Sequence, residues 1–136
     1  MPAKQPLSTM GVGIDVERVV RFRKIARTSR LFFSRTLTDA EREYCMSKAD
    51  PYPHFAGFFA AKEAAYKAAG GLSKARLSMT KFEVVHGRDG APRIKYNGTE
   101  PEPKLVVKIS ISHTTEEAAA IALALIPGAL IAPGHE

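Results

Sequence analysis

Two acidic residues near the start of the chain have the type and spacing of metal ligands. Asp15 and Glu17 lie two residues apart in an apolar segment, residues 11–17. In a β-strand alternate side chains share a face, so the two carboxylates would project together and repel each other. An oxygen-binding cation such as Mg²⁺ would remove that conflict. For Glu17 a second interpretation stays open, because an acidic residue also favours the N-terminus of a following helix.

The middle and the end of the chain carry further candidates. Glu63 and Lys67 are four residues apart, so they would share one face of a helix. That spacing alone is typical of an ordinary helical ion pair. His113 lies where a predicted strand gives way to a turn, a common place for functional residues, although a lone histidine is more often structural.

A helix over residues 55–69 positions Glu63 and Lys67. Alanine, lysine and glutamate, all strong helix formers, dominate it. We expect residues 50–53, with two prolines, to form a turn before it, and Gly70 and Gly71 to end it in a left-handed cap. Its many alanines make it slim, so it can pack closely against a sheet or a neighbouring subunit.

Periodicity predicts five strands around this helix. Residues 105–112 alternate most clearly, and the alanine-rich segment 118–126 is taken as the strand paired with them, because the connection is short. We therefore predict an α+β domain with one antiparallel sheet and the long central helix packed on it. The predicted strands are residues 11–16, 77–85, 92–96, 105–112 and 118–126.

Two shorter helices are predicted between the first strand and the central helix. Residues 18–30 form an amphipathic pattern with a strongly basic face, which is either solvated surface or a docking surface for an acidic partner. Thr38 and Glu41 have the spacing of a capping box, which predicts a helix to about Lys48 that packs through Ala40, Tyr44 and Cys45.

Composition predicts one domain, residues 11–127, between tails 1–10 and 128–136. The chain has 136 residues, a 45% hydrophobic share and a net charge of +6, which suits a globular protein with an anionic partner. No apolar run is long enough to span a bilayer. The lone Cys45 suits a reducing compartment, and we expect a cytoplasmic protein and a buried thiol rather than a nucleophile.

Four segments, in order and spacing, resemble the motifs of 4′-phosphopantetheinyl transferases of the holo-[acyl-carrier-protein] synthase type. They are GVGIDVERVVRF, SRTLTDAEREYC, FAGFFAAKEAAYKA and KISISHT. Glu17 and the sequence EREYC also resemble the transferase domains attached to fatty-acid synthases. The chain departs from the family at Phe58, where many relatives carry arginine, and at Leu72, where a glycine is usual.

The resemblance implies transfer of 4′-phosphopantetheine from coenzyme A to a serine of an apo acyl carrier protein in fatty acid and lipid biosynthesis, releasing 3′,5′-ADP. Asp15 and Glu63, with Glu17 as a further ligand, would hold Mg²⁺. Lys67 would lie beside the phosphates, and the serine would be activated by Glu63 or by a metal-bound water. The remaining nucleotide-binding positions implied are Gly70, His113 and Thr114.

The same resemblance implies partners. An acidic carrier protein would dock on Arg18 and Arg21, and the enzyme would be a homotrimer that draws Asp15 and Glu63 from one subunit and His113 from its neighbour. Neither nucleic acid nor a membrane is expected as a partner. Two alternatives remain: a relative that binds carrier protein without catalysis, and a small basic nucleic-acid-binding module. Against the latter, the chain has no Trp and no strand of stacking aromatics.

Overall fold

The computed structural model describes residues 9–128, so the predicted tails fall almost wholly outside the described residues. The elements in chain order are β1 Met10–Arg18, α1 Val19–Thr28, α2 Leu31–Thr36, α3 Asp39–Met46, α4 Pro51–Gly70, a 3-10 turn Met79–Lys81, β2 Phe82–His86, β3 Pro92–Tyr96, β4 Val106–His113 and β5 Glu117–Leu125. None of the helices in this part of the chain is long and apolar enough to cross a membrane.

The strands form two antiparallel sheets rather than one. β1, β5 and β4 make a three-stranded sheet in that order, and β2 pairs with β3 in a separate hairpin. The α+β class and the β4–β5 hairpin are thus confirmed, and the single five-stranded sheet is wrong. The two sheets separate between β3 and β4, which are joined by the predicted loop that contains Pro101 and Pro103. β2 also begins later than predicted, because Met79–Lys81 forms the 3-10 turn instead.

The central helix α4 is longer than expected. It begins at Pro51, because proline is tolerated in the first turn, where its missing N–H would have no helical partner. The Asp50 Oδ1 caps this end by accepting a hydrogen bond from the Tyr52 amide at 3.3 Å. The left-handed cap at the other end is wrong, since Gly71 has a φ of −77°.

α4 packs closely on β1 through small residues. A Cβ added to Gly11 would lie 2.0 Å from the Ala68 carbonyl oxygen, and one added to Gly13 would lie 2.0 Å from that of Ala64. No side chain fits there, because real Cβ atoms do not approach oxygen so closely. The slim helix therefore contacts the strand backbone directly, as the alanine content predicted.

The shorter helices differ in part from expectation. α1 ends at Thr28, and a second helix that was not predicted, α2, follows it. The capping box of α3 is confirmed in full, with Glu41 N and Thr38 N both paired. Cys45 is buried, and burial raises the pKa of its thiol to about 12, whereas Ala40 is exposed rather than packed.

The outer face of the three-stranded sheet is apolar and exposed. Val12 and Ile14 are each 61% exposed, and Val16 and Ile121 lie on the same face. Ile14 pairs directly with Ile121, so the side chains form one continuous surface. α4 covers only the other face of the sheet.

Candidate active site

β1 directs its two acidic side chains towards α4. The side chain of Asp15 is 15% exposed and that of Glu17 is 11% exposed, whereas their neighbours on the strand face outwards. The prediction that the two carboxylates share a face is confirmed. The inner face of β1 carries charge and suits a functional site against α4. Its outer face is apolar and suits contact with another protein.

Lys67 approaches Asp15 from α4. Its Nζ lies 3.5 Å from the Asp15 Oδ1 and donates a hydrogen bond to the Ile14 carbonyl oxygen at 3.1 Å. The other oxygen, Asp15 Oδ2, is buried and accepts no hydrogen bond from any donor among residues 9–128. Burying an unpaired carboxylate oxygen is costly, so this atom fits a ligand or cation supplied from outside.

Glu17 shares the site, and the pKa of its carboxyl is raised. Burial, followed by a hydrogen bond to the Asp15 side chain and the negative charge of that carboxylate, raises the pKa of Glu17 to about 7. Arg21 opposes this shift, since its Nη1 donates to Glu17 Oε1 at 2.6 Å. A cation between the two carboxylates would favour the charged form of both.

The predicted ligands are only partly gathered. Among residues 9–128 no three His, Cys, Asp or Glu side chains form a group that could hold a metal. Glu63 is half-buried, and within that part of the chain its side chain has no hydrogen bond or ion pair. It lies next to Ala64, on which Gly13 of β1 packs. The Asp15 and Glu17 oxygens nevertheless suit Mg²⁺, which commonly takes one or two carboxylates and completes its shell with water and phosphate oxygens.

His113 lies in the same row of the sheet as Glu17. Glu17 pairs with Ala118, and Ala118 pairs with His113, so the two residues are two strands apart, about 10 Å. The His113 ring lies 4.9 Å from that of His54 near the start of α4. Burial, and then the nearby His113, lower the pKa of His54.

An aromatic cavity of about 180 Å³ adjoins His113. Its wall is a stack in which the Tyr44 ring lies 4.1 Å from His86 and 5.3 Å from Phe58. Phe58 is buried, so a packed ring occupies the position where arginine was expected. Burial lowers the pKa of His86. These residues were not predicted as a group, because they come from three separate elements, and the sequence signal for the place was the departure from the family at Phe58.

Thr114 and Gly70 were both predicted to contact the nucleotide, and their surroundings differ. Thr114 Oγ1 accepts hydrogen bonds from the amides of Glu116 and Glu117, each at 3.1 Å, and so fixes the β4–β5 turn. Gly70 has open space where a Cβ would stand. Their contact with a nucleotide stays a prediction.

The basic helix α1 is partly neutralised. Besides the pair of Arg21 with Glu17, Arg23 donates to Asp50 at 3.1 Å and holds the pKa of that carboxyl below its usual value. Arg18 and Arg23 line an open groove of about 480 Å³. One nearby acidic residue, Glu17, and one distant residue, Asp50, therefore compensate part of the basic face.

Comparison with known proteins identifies the family. The sequence model of the 4′-phosphopantetheinyl transferase superfamily matches residues 11–124. Holo-[acyl-carrier-protein] synthase of Chloroherpeton thalassium is 37% identical over 119 residues, covering 84% of this chain and 96% of that protein. Fatty acid synthase subunit alpha of Candida albicans is 37% identical over 122 residues, covering 85% of this chain but 6% of that protein.

Structural comparison agrees with the sequence matches. The crystal structure of a Bacillus anthracis holo-(acyl-carrier-protein) synthase in complex with CoA (3′,5′-ADP) matches with a TM-score of 0.68 and 31% identity, covering 85% of this chain and 95% of that chain. Both resemblances drawn from the motifs, to the synthases and to the fatty-acid-synthase domains, are confirmed. The chain belongs to the 4′-phosphopantetheinyl transferase superfamily.

Proposed function

We propose that this chain transfers the 4′-phosphopantetheine group of coenzyme A to a serine hydroxyl of an apo acyl carrier protein and releases 3′,5′-ADP. The observation that carries this is the paired carboxylates of Asp15 and Glu17, with Asp15 Oδ2 buried and unpartnered beside Lys67. The names of the curated relatives support the same reaction.

The reaction joins the serine oxygen to the pantetheine-side phosphorus of the pyrophosphate. The bond from that phosphorus to the bridging oxygen breaks, the electron pair leaves with 3′,5′-ADP, and the serine proton passes to a base. Glu63 suits that role, because it is half-buried and none of the described residues binds its side chain. Lys67 supplies positive charge next to the phosphates.

Asp15 and Glu17, with Glu63, would hold Mg²⁺. When bound, the cation neutralises the charge of the pyrophosphate. The chain's own contribution is the pair of carboxylates on the inner face of β1, and Glu63 would complete the set from α4.

The nucleotide of coenzyme A is proposed to lie at the aromatic cavity beside His113. Its wall of stacked rings from Tyr44, Phe58 and His86 suits a flat heterocycle. His113 at the rim could donate a hydrogen bond to a phosphate oxygen. This cavity lacks the arginine expected at residue 58, so recognition there would depend on rings and histidines.

The exposed apolar face of the sheet supports assembly. Val12, Ile14, Val16 and Ile121 form an apolar surface of the kind that marks a protein–protein contact. We propose a homotrimer whose sites combine Asp15 and Glu63 of one subunit with His113 of the next. An acidic carrier protein would dock on Arg18 and Arg21, and the cytoplasm is the expected compartment.

Intact-mass analysis of an apo acyl carrier protein, incubated with this chain, coenzyme A and Mg²⁺, tests the proposal. We expect the carrier protein to gain one phosphopantetheine group, and no gain without coenzyme A. A stable complex without a mass change would instead indicate a binding protein. Absence of both, with retention of nucleic acid on the chain, would support the nucleic-acid-binding alternative.

A further inference from the structure

A buried ion pair lies on the side of α4 that faces away from β1. The side chains of Lys62 and Glu41 are both 0% exposed, and the Lys62 Nζ donates to Glu41 Oε1 at 2.8 Å. Lys62 also donates to the Phe82 carbonyl oxygen. The same carboxylate accepts from the Thr38 amide at 2.8 Å and, through Oε2, from the Val84 amide at 2.7 Å.

This pair connects three elements, and stability alone does not account for it. Lys62 belongs to α4, Glu41 to α3, and Phe82 and Val84 to β2. Replacing a buried ion pair with apolar side chains is often neutral or stabilising, because desolvation offsets the attraction. What a charged hydrogen bond adds is direction and a fixed length.

On the side of α4 that faces β1, the charged contact is the half-exposed Lys67 side chain, which donates to the Ile14 carbonyl oxygen at 3.1 Å and is less constrained than the buried Lys62. Ala64 packs there on Gly13 and Ala68 on Gly11, so this contact surface consists of small residues. Ala64 is two residues after Lys62, about 200° around the helix. Glu63 lies between these two contacts, about 100° from each. A rotation of α4 on this surface of small residues therefore moves Glu63 relative to Asp15. It also moves Lys67, which lies one helical turn after Glu63.

The size of that movement matters for chemistry. At the side-chain radius of a helix, about 5–6 Å, a rotation of about 10° shifts a carboxylate by about 1 Å. A misplacement of about 1 Å can reduce a catalysed rate by about 100-fold. We infer that Lys62, held by Glu41, is a positioning residue that sets the rotation of α4 and so places Glu63 and Lys67 opposite Asp15.

The inference rests on the proposed function, and the double variant Glu41→Gln/Lys62→Met tests it. Glutamine keeps the capping box with Thr38, and both charges are removed together, so no unpaired buried charge remains. Because the Val84 amide and the Phe82 carbonyl oxygen each lose a charged partner, we expect the unfolding temperature to fall by several degrees, as it should in the control. The kcat for phosphopantetheine transfer should fall about tenfold to 100-fold, and the KM for carrier protein should stay unchanged. The matched control Cys45→Ala, which alters a buried side chain of α3, should lower the unfolding temperature without lowering kcat.

A second measurement does not depend on activity. Mn²⁺ binding to the substrate-free protein, followed by water-proton relaxation, should weaken severalfold in the double variant and not in Cys45→Ala. An inactive wild type would overturn the proposed function while this measurement still tested the positioning role. If the double variant does not fold, Glu41→Asp replaces it, because it keeps both charges and shortens the contact by one methylene. Unchanged kcat and unchanged Mn²⁺ affinity in the folded variant would overturn the inference.

Discussion

Lys67 and Asp15, 52 residues apart in sequence, meet with the ammonium nitrogen 3.5 Å from Oδ1, and Oδ2 is buried with no hydrogen-bond partner in the described part of the chain. The Lys67 ammonium thus lies against one oxygen of the Asp15 carboxylate, and the other oxygen remains available to an added ligand. Glu17 lies on the same face of β1, and the pKa of its carboxyl is raised. The arrangement combines a fixed positive charge with an incomplete set of oxygen ligands, which is what binding of a metal–pyrophosphate group requires.

The first prediction concerns the carboxylates. Asp15→Ala and Glu63→Gln should each lower the transfer rate at least about 100-fold, since each removes a charge that acts on the reacting phosphate. The measurement is the rate of mass gain by an apo carrier protein at saturating Mg²⁺. Asp89→Ala, at the exposed β2–β3 turn, is the matched control and should leave the rate unchanged. Wild-type activity in Glu63→Gln would exclude its proposed role.

The second prediction uses the raised pKa of Glu17. A carboxyl whose pKa is about 7 in the folded protein and about 4.5 otherwise favours folding fully below pH 4.5, and this contribution is lost as the pH rises through 7. Mg²⁺ favours the charged form, so its binding at pH 7 should release a fraction of a proton. Calorimetry in buffers of different ionisation enthalpy measures that release. Glu17→Gln should abolish it while lowering activity less than Asp15→Ala does.

Local patterns explain why much of the fold was predictable. The Thr38–Glu41 capping box involves residues three apart, and the alternation in β4 involves residues two apart, so both appear in the sequence. The pairing of Asp15 and Glu17 on one face follows from the same strand geometry. The start of α4 is harder to predict, because Pro51 and Pro53 are typical of a turn and the first helical turn also accepts proline.

Non-local contacts explain what was missed. Glu41 was predicted only as a capping residue, and nothing near it in sequence indicates that it also binds Lys62, 21 residues away. The stack of Tyr44 on His86 likewise joins residues from two elements. Such contacts depend on how α3, α4 and β2 pack, and periodicity carries no information about that.

The third prediction tests the close packing of β1 on α4. Gly13→Ala should destabilise the fold by about 2–3 kcal/mol, because its Cβ would meet the Ala64 carbonyl oxygen, which belongs to the helix backbone and cannot repack. Gly70→Ala has open space and should stabilise the helix by about 0.5–1 kcal/mol. Urea unfolding measures both. Equal stability of the two variants would contradict the packing described here.

The fourth prediction concerns assembly. Ile14→Glu places a charge on the exposed apolar face of the sheet and should convert a trimer into monomers, since burying an unpaired charge in a contact is costly. Light scattering measures the mass, and activity should fall with it because the proposed site is shared. Met46→Glu, at an equally exposed position on α3, should stay trimeric. A wild-type monomer with full activity would contradict the shared site.

The last prediction concerns the docking role of Arg21. Arg21→Glu should raise the KM for carrier protein about tenfold and leave kcat and coenzyme A binding unchanged, because a contact made equally in the ground and transition states affects KM alone. Added salt should weaken wild-type association, since exposed charges are screened over about 8–10 Å. Arg93→Glu changes the net charge equally on the β2–β3 hairpin and should alter KM little. A fall in kcat with unchanged KM would instead mean that Arg21 acts through its ion pair with Glu17, 2.6 Å away, and not in docking.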